Sequence, residues 1–122
     1  MNRGYRELDD REMNLMKKLL EVDFPGCTEL RSQLNSLSAK QIIKDGSLSL
    51  RPDSGVPFPG KYGLVAEGIC KDSDGGQISI LLHVNADGYL SMLEILKMDT
   101  SPIIRPPSTE SFVRLFPNDA GR

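Results

Sequence analysis

Among the 122 residues, His83 and Glu94 are the pair best suited to acid–base chemistry. An imidazole titrates near neutrality, and a carboxylate within hydrogen-bond reach can orient it and share its proton. Set in a concave site with an apolar wall, the two would serve a small-ligand domain or an enzyme. Strand alternation aims His83 to the side of Ser79 and Leu81, and Glu94 to the side of Leu90, Met92, Leu96 and Met98. A carboxylate among four apolar side chains needs a partner if that face is buried. The plainer reading is a packed strand histidine and an acid tied to an Arg or Lys of a helix.

A second group is acidic. Asp45, Asp72, Asp74 and Asp99 all sit in or beside turns. In an up-and-down antiparallel sheet these turns share one end with the exit of the last strand, which gathers the four acids into one surface. Such a surface would dock a basic partner, because complementary fields speed encounter and fix orientation. Asp is also a common turn residue, since its side chain bonds the local backbone. Lys97 and Asp99 project to one side and are able to pair with each other or with Arg105. At the opposite end, Phe58 in the Pro-rich stretch 52–61 is a candidate anchor for a partner. The residues expected to bind are thus Asp72, Asp74, Glu94, Lys97, Asp99, Arg105 and Phe58.

Established cofactor and metal patterns fail. Asp72, Asp74 and Gly75 open like a calcium loop, but the sixth and twelfth positions are Gln77 and His83 rather than Gly and Glu. Pro59-Gly60-Lys61 lacks the first Gly and the following Ser or Thr of a phosphate-binding loop. With one His and no Cys pair at ligand spacing, no metal and no cofactor are expected. Cys27 and Cys70 read as reduced, packed thiols.

The charge is nearly balanced: 15 Lys and Arg against 17 Asp and Glu, a net −2. No basic field invites nucleic acid, and no apolar run reaches the roughly 18 residues of a membrane span. The first residues are polar, without the apolar core of a secretory signal, so a cytoplasmic location is expected. The chain length suits one domain over 1–122.

The elements that must position these groups follow from periodicity. Asp9 with Glu12 forms the acidic version of a capping box for a helix over 9–21, with Leu15, Met16, Leu19 and Leu20 on one face. Thr28 reads as the cap of a second helix carrying Leu30, Leu34 and Leu37. From Ala39 the period falls to two. Strands are expected around 41–44, 47–51, 62–71, 77–84 and 89–98, joined mostly by Asp-Gly turns. Ser108 reads as the cap of a short terminal helix with Phe112, Val113, Leu115 and Phe116. The expected fold is α+β: two N-terminal helices on a five-stranded antiparallel meander, then a short C-terminal helix.

Lys97, Asp99, Ser101, Pro102, Arg105 and Pro106 form a Lys-x-Asp-x-Ser-Pro pattern followed by Arg-Pro. In this the chain resembles a family of small bacterial domains without an assigned activity. The resemblance implies a bacterial, cytosolic protein and carries no mechanism. The functional expectation is a non-enzymatic protein-binding module, immunity-like in blocking a toxin. The alternatives are a structural homo-oligomer, or a ligand or enzyme domain using Glu94 and His83. A protein partner is expected, with the chain itself a monomer or homodimer.

Overall fold

The computed structural model describes residues 4–43 and 46–117, the last five as backbone. Helix α1 (Asp10–Leu19) begins at the expected reciprocal cap. Glu12 N–H donates to Asp9 Oδ1 at 2.7 Å, and Asp9 N–H donates to Glu12 Oε1 at 3.0 Å. Leu15, Met16, Leu19 and Leu20 are its buried stripe. Glu12 is buried too, and the Arg6 guanidinium grips both its oxygens at 2.7 and 2.9 Å. That grip holds Glu12 below the usual carboxylate range.

Helix α2 (Cys27–Gln33) starts differently from the expectation. Its N-cap is Gly26, with φ +94°, and Thr28 lies inside the first turn. A side chain at position 26 would run into the Phe58 ring, so close approach rather than hydroxyl capping sets this helix start. Leu30 and Leu34 stay in helical phase and are buried, whereas Leu37 already belongs to the sheet.

The sheet has seven antiparallel strands, six of them five residues or longer: β1 (Arg6–Glu7), β2 (Leu37–Gln41), β3 (Leu48–Pro52), β4 (Gly63–Lys71), β5 (Gln77–Val84), β6 (Leu90–Lys97) and β7 (Phe112–Pro117). Four of the five expected strands are present, the one expected over 41–44 lies earlier, at Leu37–Gln41, with Ile42 and Ile43 beyond its end, and the count and the order are corrected too. Their order is β1-β2-β3-β6-β5-β4-β7, so β6 enters between β3 and β5 and the meander is broken. The connection 53–62 must then step from β3 past β6 and β5 to β4, roughly 14 Å at the usual strand spacing. This explains a long, Pro-rich stretch among tight turns. It passes against the 85–89 turn, where Phe58 N–H donates to Gly88 O at 2.8 Å. Gly88 has φ +90°, and a Cβ there would stand 2.9 Å from the Phe58 backbone.

In place of the expected C-terminal helix, a 3-10 turn at Thr109–Ser111 leads directly into β7, which pairs with the free edge of β4. The short run 112–116 satisfies both the helical and the strand period, and the open row of backbone groups on β4 decides for strand.

Both helices pack on one face of the sheet. Their apolar stripes join Ala66 and Cys70 of β4, Ile78, Ile80, Leu82 and Val84 of β5, and Leu90, Leu93 and Ile95 of β6 in one core. A register shift between the His83–Met92 and Val84–Leu90 pairs turns Leu90 to this core. Met92, Glu94 and Leu96 therefore face the other way, onto the side without helices. The expected common face of Leu90 and Glu94 is corrected by this one extra residue. Cys27 and Cys70 are both buried and free, and burial pushes the Cys70 thiol up to about 11. No helix among the described residues is long and apolar enough to cross a membrane.

Candidate functional site

Every strand pair is antiparallel, so the β2–β3 connection, the 72–76 turn and the exit of β6 share one end of the sheet. The turn closes with Asp72 N–H donating to Gly76 O at 2.8 Å, which points the Asp72 side chain across to β6 and the segment beyond it. Asp72 is buried and its carboxylate accepts four hydrogen bonds. Lys97 Nζ and Ile104 N–H donate to Oδ2 at 2.9 and 2.8 Å, and Ser73 N–H and Arg105 N–H donate to Oδ1 at 2.7 and 3.0 Å. The Ile104 amide, then Lys97 and the other amides, hold Asp72 far below the usual carboxylate range.

Lys97 is buried with it. Its ammonium also donates to Asp74 Oδ2 at 2.8 Å and to Pro102 O at 3.4 Å, and the bond to Asp74, then that to Asp72, raises its pKa. Asp74 is lowered in turn, first by Lys97 and then by the Gly76 amide. Asp99 accepts from Ser101 N–H and Oγ at 2.9 and 2.6 Å, which lowers its pKa too. This knot fastens the segment 98–107 over the end of the sheet.

Of the seven residues singled out in the sequence, five thus meet here: Asp72, Asp74, Lys97, Asp99 and, through its backbone, Arg105. Asp45 lies outside the described residues. The other two are elsewhere. Phe58 is half-buried at the opposite end, turned back against Gly26 and Gly60 rather than standing at an exposed tip. Glu94 lies on the open sheet face, where its Oε1 is 3.2 Å from His83 Nε2, both side chains half-buried. The two candidate acid–base groups therefore do face each other, although neither lines the clefts described next. No cluster of three or more His, Cys, Asp or Glu among the described residues is placed to hold a metal.

A cleft of about 720 Å³ opens beside the knot, between Gln41 and Gly46, the end of β6, the 100–107 segment and Arg11 of α1. Leu96, Ile103 and Ile104 supply its apolar wall. A smaller hollow of about 310 Å³ adjoins it across Pro106 and is lined by Lys71 and Arg105 together with Glu110. Arg11 anchors one rim by donating to Pro107 O at 2.8 Å.

Sequence reasoning missed Arg11, Lys71 and the aliphatic rim. A signal was present: the β-branched pairs Ile42-Ile43 and Ile103-Ile104 lie in a turn and between prolines, where polar residues are the norm. No curated protein and no solved structure matches the chain. The model of a family described as a domain of unknown function, DUF6984, matches residues 5–107, and the chain belongs to that family.

Proposed function

We propose that the domain is a non-enzymatic protein-binding module that docks through the end of the sheet where the cleft opens. One observation carries this reading. Among the described residues seven large apolar side chains stand exposed, and five of them (Ile42, Ile43, Leu96, Met98 and Ile104, between 43% and 62% exposed) crowd that end. Exposed apolar side chains gathered at one place mark interaction sites, and the Asp72–Lys97–Asp74 knot, with Asp72 and Lys97 buried, gives this one a rigid floor. The narrowest form of the reading is an immunity-like protein that blocks a toxin by occupying it.

The 3.2 Å contact of His83 with Glu94 favours a second reading, a small-ligand site on the open face of the sheet. The two readings separate in one experiment. Tagged protein is used to capture a partner from native lysate, alongside Ile43→Asp, Ile104→Asp, Val56→Asp, Tyr62→Asp and Glu94→Gln variants. The binding-module reading expects a stoichiometric partner that Ile43→Asp and Ile104→Asp lose, while Val56→Asp and Tyr62→Asp at the opposite end keep it. A partner indifferent to Ile43 and Ile104 refutes docking at the cleft. Light scattering on the same samples tests self-association, the homo-oligomer alternative.

A further inference from the structure

The aspartates at this end of the sheet accept hydrogen bonds within the fold, whereas three of the cations beside them take no acidic partner among the described residues. Asp72 holds four donors, Asp74 two and Asp99 two, all from Lys97, Ser101 or backbone amides. Arg11, Lys71 and Arg105 form no ion pair among the described residues, although each lines one of the two adjoining depressions. Arg11 uses one guanidinium nitrogen on Pro107 O and is only half-buried, leaving its other donors toward the cleft. A guanidinium presents its donors in a fork that matches a carboxylate. Glu110 opposes Lys71 and Arg105 in the smaller hollow, so the larger cleft with Arg11 carries the stronger preference.

We infer that the occupant of the cleft is an extended segment of a partner protein in which aliphatic side chains alternate with acidic ones. This inference rests on the protein-binding reading and gives the partner's chemistry: Leu96, Ile103 and Ile104 receive the aliphatic side chain, and Arg11 receives the carboxylate, with Arg105 in the adjoining hollow adding to the positive field. It reverses the sign suggested by counting the aspartates in the sequence, because those aspartates engage donors within the fold and none of them lines the cleft, where Arg11 does.

The test uses the intact chain, labelled with nitrogen-15, and three blocked hexapeptides in which Ile alternates with Asp, with Ser or with Lys. The Ile/Asp peptide is expected to shift the amides of 41–43, 100, 101 and 103–105 and to bind about tenfold more tightly than the Ile/Lys peptide. Arg11→Gln should reduce that preference to within about twofold, and Arg105→Gln, in the adjoining hollow, should reduce it partly. Ile104→Ser should weaken both peptides alike. Equal or tighter binding of the Ile/Lys peptide at the same amides overturns the acidic specificity while leaving docking at the cleft intact. A preference that survives Arg11→Gln overturns the role of Arg11. If no peptide moves these amides at millimolar concentration, the proposed occupant is wrong, and the lysate capture decides the broader reading separately.

Discussion

Gln33 is the most consequential polar side chain in the core. It is fully buried at the end of α2, where its amide donates to Val56 O and Gly88 O, both at 2.9 Å, and its carbonyl accepts from Leu90 N–H at 2.8 Å. One side chain therefore joins the helix layer to the crossover loop, the 85–89 turn and the first residue of β6. In Gln33→Leu the three losses differ. Val56 is exposed, so its carbonyl turns to water, and Gly88 O keeps its bond from Phe58 N–H. Only the Leu90 amide is left buried without an acceptor, a cost of about 1–3 kcal/mol, to which the two weaker losses add roughly 1 kcal/mol together.

We expect a total near 3 kcal/mol, read as the change in urea midpoint at constant slope, or about 10 °C in Tm. Gln33→Glu keeps the acceptor for Leu90 but sets a carboxylate against two carbonyl oxygens, so burial holds its proton. Its pKa is then higher folded than unfolded, and its stability should improve relative to the parent as pH falls. A Gln33→Leu change under about 0.5 kcal/mol, or a Gln33→Glu variant whose pH profile parallels the parent, would refute the assignment of these bonds.

Two further outcomes are expected. Asp72, Asp74, Asp99 and Glu12 are all lowered in the folded state, so the unfolded chain binds more protons in the acid range. Stability should be full above about pH 5 and decline as pH falls through and below the ordinary carboxylate range, with Asp72→Asn shrinking that decline; Tm measured from pH 7 to 3 checks it, and a flat profile contradicts it. Gly88→Ala meets both an unfavourable φ and the Phe58 backbone, and thermal melting should show a loss of about 2 kcal/mol or more.

The strands β3 to β6 and the first helix were legible in the sequence because each carries its signal locally. Asp9 and Glu12 cap within one turn, and Gln77 to Val84 alternates cleanly. What was illegible depends on partners far along the chain. Gly26 is a helix cap because Phe58 returns to it. Residues 112–116 become a strand because β4 has an open edge. Leu90 and Glu94 part company through one bulged residue, which alternation counted from sequence does not register. The ends of the sheet were assigned correctly although its order was not, since antiparallel strands alternate direction whatever their neighbours. The acids of the site were legible by position, but the engagement of Asp72 by the Ile104 and Arg105 amides was not, because backbone donors carry no residue signature.

The entry of β6 between β3 and β5 has a consequence for how the chain acquires its structure. Until Leu90–Lys97 is available, β1 to β3 form one ribbon and β4 with β5 another, and no strand pairing joins them. The latest of the central strands is thus the joint of the whole sheet, and Ser47 reinforces it by accepting from the Ile95 amide with its hydroxyl. Joining depends on contacts of long sequence separation, so folding should be slow for a domain of this size and limited by docking of β6. Ile95→Val in β6 should accordingly slow refolding more than Leu15→Ala in α1 does per unit of stability lost, a comparison that stopped-flow chevrons measure directly.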